Sequence, residues 1–322
     1  MFISRRSFTL LGAATVASQL AHSQTIYPTR PIKLLVGFAA GGPLDVYTRI
    51  LAQDISLQLG QPVTVDNRAG ASGQIATDMV AQAEADGYTL MSTASTFIVN
   101  PILSKRTKPD PLKDFVAISH TAVLPTIVIV GPDSTVQTIQ DLVKAARSRH
   151  LSYASAGNGG PAHLAGALLA HNTGTTMTHI PFRGAAPALT EVMAGRVDFT
   201  FYTMSGLKEL VAAKKVRPLA ITAVSRHPEF AQVPTMTEAG FPGFDDVGAW
   251  FGIVGPAGMP STVVTQLNTA IDRALKKPEV RDRLIGLGMV PVGGPPTVFK
   301  NFLERDSVRW TALIKAADIR EE

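Results

Sequence analysis

Two glycine-rich turns of the same form are the residues of this sequence best suited to binding chemistry. Gly41-Gly42-Pro43 follows one strand-like segment and Gly159-Gly160-Pro161 follows another. The glycines let a ligand approach bare backbone, and proline is tolerated because a first-turn N–H has no partner inside its helix. A helix N-terminus adds free N–H donors and about half a positive charge. The repetition predicts two anion-binding turns that hold one ligand together.

Ser155 suggests a different chemistry, nucleophilic catalysis. The segment around it resembles a nucleophile elbow that lacks the first glycine. His163, His179 and Asp198 follow as possible partners, but the order Ser, Asp, His is not met, since the last histidine, His227, lies in a proline-rich stretch. A secreted serine hydrolase using Ser155 is therefore the alternative, and we expect no enzymatic activity. Outside a hydrolase, the Ser155 hydroxyl would bond a ligand or the backbone.

The sequence gives little support for a cofactor site or a metal site. Gly157 to Ala162 satisfies G-x-G-x-x-A, but the next strand, near Met177–Ile180, is not followed by an acidic residue that would hold a ribose. The chain has no cysteine, which excludes thiolate metal sites and disulfides. Its 7 histidines show no metal-binding spacing. We expect no cofactor and no metal.

Length and composition indicate the size of the fold that must position these turns. With 322 residues, 45% hydrophobic and 17% charged, the chain exceeds one ordinary core and predicts two lobes or one large α/β unit. The formal charge is +5 and the basic residues are scattered, so nucleic acid is not an expected partner.

The first 23 residues are typical of an export signal. Arg5-Arg6 precedes Phe8 and a short apolar stretch, small residues flank a cleavage site after Ser23, and no acidic residue occurs before Asp45. The paired arginines resemble a twin-arginine signal. We expect removal of residues 1–23 and location in the periplasm. This signal, and the lack of an N-terminal helix-turn-helix, disfavour a third class, the ligand-sensing half of a transcription regulator.

Short apolar runs alternate with amphipathic stretches, as in βα units. Clear cases are strands Ile32–Val36 and Leu151–Ser155. Two runs, Phe115–Val123 and Thr126–Val130, are separated by Pro125 and predict an extended segment that crosses between lobes, and Arg217–Val224 predicts the return crossing. We expect lobe 1 to comprise residues 24–122 and 225–322, and lobe 2 residues 123–224. His227–Gly243 is predicted to be a surface loop, and Ser261–Lys277 and Thr297–Ala317 long helices.

Several motifs in one order give a family resemblance. They are Val36–Asp45, Asp66–Gly73, Ser155–Gly159, His163-Leu164, Phe182–Leu189 and Val233–Gly240. The chain resembles the Bug receptors, the TctC-like extracytoplasmic solute-binding proteins of tripartite tricarboxylate transporters.

The resemblance implies a two-lobed periplasmic binding protein of type II, a Venus-flytrap of α/β class in which each lobe is a mainly parallel sheet with flanking helices. It implies a small-molecule carboxylate ligand, membrane permease subunits as partners, and a monomer. Phe38 to Asp45 and Ser155 to His163 correspond to the family's carboxylate-holding loops. The candidate ligand-binding residues are Phe38, Ala40, Gly41, Gly42, Asp45, Asn67, Ser95, Ser155, Ala156, Gly157, Asn158, Gly159, His163, Arg183 and Gly184.

The sequence departs from the family's usual pattern at several of these places. Ala40 stands where proline is common, Pro43-Leu44 where glycine or threonine is frequent, Gly160 where serine is usual, and Phe182-Arg183 where Tyr-Lys is typical. Loss of a serine hydroxyl predicts one weaker hydrogen bond, and Leu44 predicts a more apolar ligand end.

Overall fold

The structure is a computed structural model that describes residues 27–204, 206–245, 247–317 and 319. The predicted signal peptide, residues 1–23, lies outside the described residues. The strands are β1 (Ile32–Val36), β2 (Val63–Asn67), β3 (Thr89–Ala94), β4 (Phe115–Val130), β5 (Leu151–Ser155), β6 (Met177–Pro181), β7 (Phe199–Thr203), β8 (Arg217–Ile221), β9 (Gly248–Pro256) and β10 (Val290–Pro291). The helices are α1 (Pro43–Leu59), α2 (Gln74–Ala81), α3 (Thr96–Leu103), α4 (Ile139–Ser148), α5 (Pro161–Thr173), α6 (Ala185–Met193), α7 (Leu207–Ala212), α8 (Ser261–Lys276), α9 (Pro278–Gly286) and α10 (Pro296–Ala316).

One long strand joins two halves of the sheet. The strand order is β2-β1-β3-β9-β4-β7-β5-β6. From Phe115 to Pro125, β4 pairs with β9, and from Thr126 to Val130 it pairs with β7 and β8. The predicted crossing segment is therefore a single strand in which Pro125 marks the change of partners. Thr126 and Thr222 fasten this crossing to the returning chain, because Thr126 N–H donates to Thr222 Oγ1 at 2.9 Å.

The α/β class with helices flanking the sheet is confirmed. Strands β1, β2 and β3 pair in parallel, as do β5, β6 and β7, whereas the pairings of β4 are antiparallel. Parallel strands bring their carboxyl ends to one edge, so the loops after β1, β2 and β3 lie together, as do those after β5 and β6. This arrangement places the glycine turns.

The predicted strands Ile32–Val36 and Leu151–Ser155 are confirmed to the residue. Four of the five residues are buried in each strand, as expected for strands covered by helices. The two long C-terminal helices are also confirmed within one residue at each end. In the part of the chain that the structure describes, no helix is long and apolar enough to cross a membrane.

His227–Gly243 is irregular, as predicted, but it does not lie wholly on the surface. The segment contains a short 3-10 helix, Pro228–Phe230, and buries the side chains of Phe230, Val233 and Met236. Thr235 also forms a bridge with Ile221. Prolines and glycines make the segment irregular, but its apolar residues pack against the sheet.

Candidate functional site

The turn between β1 and α1 opens a helix without a side-chain cap. Gly42 is the N-cap residue of α1 and Pro43 is its first residue. Gly41 has a φ of 81°, in the left-handed region that glycine adopts without strain. Ala40 and Gly41 are exposed at the tip of the turn, and Gly42 is half-buried. Leu44 is only 4% exposed and packs in the core under β1, so the expected ligand contact of Leu44 is not supported.

Asp45 supports this turn from inside the protein. Its carboxylate accepts hydrogen bonds from Gly41 N–H at 2.9 Å, Asn67 Nδ2 at 2.8 Å and Arg49 Nε at 3.0 Å. Asn67 Nδ2 also donates to the carbonyl of Phe38. Burial raises the pKa of Asp45, but these hydrogen bonds and the Arg49 charge outweigh it and lower the pKa to about 2. Asp45 and Asn67 therefore position the turn.

The loops after β2 and β3 lie beside that turn. An added Cβ on Gly37 would lie 2.6 Å from Gly73 Cα, so the two loops touch through bare backbone. Asn100 Nδ2 donates to the carbonyl of Ser72 at 2.9 Å. Phe38, Gly73 and Thr96 line one small cavity in this region.

The turn between β5 and α5 is held by its own side chains. Ser155 Oγ donates to the carbonyl of Gly157 at 2.8 Å and accepts from Gly157 N–H at 3.1 Å. Gly159 N–H donates to Nδ1 of the buried His163 at 3.1 Å. Gly157 and Gly159 both have positive φ. Ala156 is exposed and Asn158 is half-buried.

Two neutral histidines stack beneath this turn. The rings of His163 and His179 lie 3.6 Å apart and nearly parallel, and His179 Nε2 lies 2.6 Å from Ser155 Oγ. Burial lowers the pKa of both to about 4, and for His179 the neighbouring His163 adds to this effect. Because the Ser155 hydroxyl donates to a carbonyl and Asp198 binds Arg149 and Ser152, the geometry does not assemble a catalytic triad.

We expect the protein to lose stability between pH 7 and pH 5 because of this pair. The histidines of the unfolded chain gain protons below about pH 6.5, whereas those of the folded chain remain neutral until about pH 4. The free energy of unfolding, measured with urea, should fall by about 2 kcal/mol over this range. In a His163→Gln/His179→Gln variant the part of this fall that comes from the pair should disappear, whereas the part from the buried His120, whose pKa burial also lowers to about 4, should remain. Replacement of the exposed His171 by Gln should preserve it, and an unchanged slope in the double variant would contradict the assignment.

The two glycine turns approach each other through α3. Ser95 and Thr96 line a cavity together with Gly159, Pro161 and Gly248. An added Cβ on Gly159 would lie 2.6 Å from Leu103 Cδ1 at the end of α3. Thr96 lines both this cavity and the one beside Phe38, and so connects the two sides.

A further cavity of about 100 Å³ lies on the second side. Two helix N-termini line it, α5 with Gly160 and Pro161, and α6 with Ala185. Neither helix has a side-chain cap, and their N-cap residues, Gly160 and Gly184, carry no side chain. Arg183 is exposed and does not line this cavity.

The structure separates the candidate residues that line a cavity from those that do not. Phe38, Ser95, Ser155, Ala156 and Gly159 line these three cavities. Sequence reasoning missed the polar residues that the strand ends contribute, namely Thr96, Thr126, Thr200, Tyr202 and Thr203. For Thr96, Tyr202 and Thr203 the signal was a position at the carboxyl end of β3 or β7, and for Thr126 the change of partners in β4, whereas Thr200 near the start of β7 carried no such signal. No charged side chain lines these three cavities within the described residues, so an anion held there would bind to N–H groups and hydroxyls.

Comparison with known proteins decides the family. Residues 47–319 match the model of the tripartite tricarboxylate transporter family receptor. The chain belongs to this family. A relative from a Pseudomonas species, described as a UPF0065 protein in the tcbD-tcbE intergenic region, is 39% identical over 305 residues, 94% of this chain and 90% of the relative.

Two solved structures of similar proteins extend this result. One, from R. palustris with adipate, is 34% identical with a TM-score of 0.73 and covers 91% of this chain and 99% of that protein. The other, MatC from Rhodopseudomonas palustris with bound malate, is 29% identical with a TM-score of 0.68 and covers 89% and 100%. As a family member the protein is a solute-binding receptor and not an enzyme, and the resemblance to Bug receptors and the periplasmic binding protein fold are confirmed.

Proposed function

We propose that this receptor works in the periplasm, binds a small organic carboxylate between its two lobes, and delivers it to the permease subunits of a tripartite tricarboxylate transporter. We place lobe 1 at residues 24–122 and 225–322 and lobe 2 at residues 123–224, and we propose that the receptor is a monomer. The observation that carries the carboxylate assignment is the set of uncapped helix N-termini at α1, α5 and α6, each preceded by glycine.

The chemistry of these turns favours a carboxylate over a neutral solute. Free N–H groups and the positive ends of helix dipoles stabilise a negative charge, each dipole by about 0.3 to 2 kcal/mol. The α5 and α6 termini line one cavity, and the α1 turn lies on the other side of α3. Two groups of donors separated in this way suit a ligand with a negative group at each end. The adipate and malate named for the two similar structures are dicarboxylates.

We propose that the candidate residues divide into two roles. Gly41, Gly42 and the Ala156–Gly159 loop offer backbone groups, and Ser95 offers a hydroxyl that is not used to cap α3. Asp45, Asn67, Ser155 and His163 hold those backbone groups in place. Arg183 would reach a ligand only after the lobes close.

A ligand panel tests this proposal. Adipate, malate and citrate should be compared with the neutral adipamide and glucose by thermal shift and calorimetry. At a concentration one hundred times its Kd, a bound acid should raise the free energy of unfolding by about 2.7 kcal/mol. We expect at least one dicarboxylate to bind near micromolar Kd and adipamide to have no effect. Stabilisation by glucose or adipamide, with no response to any acid, would overturn the proposal.

A further inference from the structure

The largest of the cavities described in this structure lies outside the proposed cleft, beside the Thr126–Thr222 contact. Its volume is about 430 Å³, within the range of small-molecule sites. One wall is the returning chain, Ala223 to Pro228, which directly follows the Thr126–Thr222 fastening. The other walls are β4, α9, β10 and α10. It contains none of the candidate cleft residues.

The lining of this cavity joins cations to apolar surface. Arg226, Arg281 and Arg305 line it, with Asp245 as the one acidic side chain. Arg226 is bound to Glu238 at 2.7 Å, and Asp245 accepts a hydrogen bond from Thr237. Arg281 and Arg305 are exposed and form no ion pair within residues 27–204, 206–245 and 247–317. The cavity therefore offers two guanidinium groups that form no ion pair within the described residues.

Three of the exposed large apolar residues gather at the same place. Val224, Val292 and Val298 line the cavity and are 77%, 44% and 47% exposed. Isolated exposed valines are ordinary, but three beside two free guanidinium groups form a surface with an apolar part and a cationic part. An apolar body with an anionic group matches both.

A buried donor in this lining lacks an acceptor. His227 is 2% exposed, and its Nδ1 accepts a hydrogen bond from Glu229 N–H at 3.3 Å. Burial lowers the pKa of His227, so its ring is neutral and the ring proton lies on Nε2. Nε2 has no hydrogen-bond partner within the described residues. Nε2 of the 5% exposed His120 in the same lining is also unpartnered. A buried N–H without an acceptor is costly, and a ligand oxygen would satisfy it.

We propose that this cavity, lined by Arg281, Arg305 and His227, is a second ligand site that binds a small organic anion with an apolar body. The anionic group lies between the two guanidinium groups and accepts a hydrogen bond from His227 Nε2, and the apolar body covers Val224, Val292 and Val298. The site is separate from the cleft and does not depend on the carboxylate proposed for the cleft.

The probe for this proposal is 6-bromo-2-naphthoate, and 6-bromo-2-naphthamide is its neutral counterpart. Titration calorimetry on the mature protein should show that the naphthoate binds at least tenfold more tightly than the amide. An Arg281→Ala/Arg305→Ala variant should bind the naphthoate at least tenfold more weakly. An Arg273→Ala/Arg283→Ala variant, which loses the same charge from exposed positions outside the cavity, should stay within twofold.

A crystal of the complex locates the probe. Anomalous scattering from bromine between α9, α10 and residues 223–228 would support the site. Bromine found only elsewhere, no binding of the naphthoate, equal binding of the amide, or equal losses in the two double variants would each overturn it. A His227→Phe variant should bind the naphthoate at least threefold more weakly. Its thermal unfolding midpoint is measured alongside as a check on stability. Unchanged affinity would show that His227 is not part of the site.

Discussion

Replacement of Asp45 by alanine should weaken carboxylate binding at least tenfold, about 1.4 kcal/mol, although its side chain is directed into the protein. Its carboxylate accepts hydrogen bonds from Gly41 N–H, Asn67 and Arg49 and so holds these three groups together. Without it, the turn before α1 loses the contact that fixes its N–H groups, and the ligand must order the turn on binding. We expect the free energy of unfolding to fall by about 2 kcal/mol, as for charged hydrogen bonds lost at a buried site.

Asp54 gives the matched control for this prediction. It lies in the same helix, is 9% exposed, and binds Gln58 and Lys277 away from the turn. Asp54→Ala should lower stability with carboxylate affinity within twofold of the parent. Affinity by calorimetry and stability by urea unfolding separate the two effects. Equal losses of affinity in both variants would show that Asp45 acts only through global stability.

Gly159→Val should have the largest effect on binding, with a loss of at least thirtyfold in carboxylate affinity. Gly159 has a φ of 68°, which a β-branched residue adopts only with strain. An added Cβ would also lie 2.6 Å from Leu103 Cδ1, where α3 of one side meets the turn of the other. The substitution therefore distorts the backbone donors and separates the surfaces that must approach on closure.

The opposite end of the same helix provides a comparison. Gly174, the C-cap of α5, has a φ of 61° and open space where a Cβ would lie. Gly174→Val should cost similar backbone strain, about 1 to 2 kcal/mol of stability, and leave the Kd within threefold. Calorimetry compares the Kd of the two variants at temperatures chosen so that their free energies of unfolding are equal. If the Gly174 variant loses as much affinity as the Gly159 variant, strain in α5 rather than the turn is responsible.

Local sequence patterns predicted the strands and helix starts, because these features depend on residues that are adjacent in the chain. The apolar runs Ile32–Val36 and Leu151–Ser155 are strands, and Pro43 and Pro161 do begin helices after glycines. The helices α3, α7 and α9 went unpredicted, because α3 has eight residues with Pro101 inside it, α7 has six residues and α9 has nine. Elements so short are helical because of what they pack against, and their own sequence carries little signal.

The sequence alone determined the α/β class and the two glycine turns, because these depend on hydrophobic period and on the special conformations of glycine and proline, and its motifs carried the resemblance to the receptor family. Only the tertiary structure decided that Asp45 and Asn67 support the turn, that Thr96 joins the two sides, and that His227 is a buried donor. Those roles depend on contacts between residues far apart in the chain, such as Thr126 with Thr222, and on burial, which no local pattern specifies.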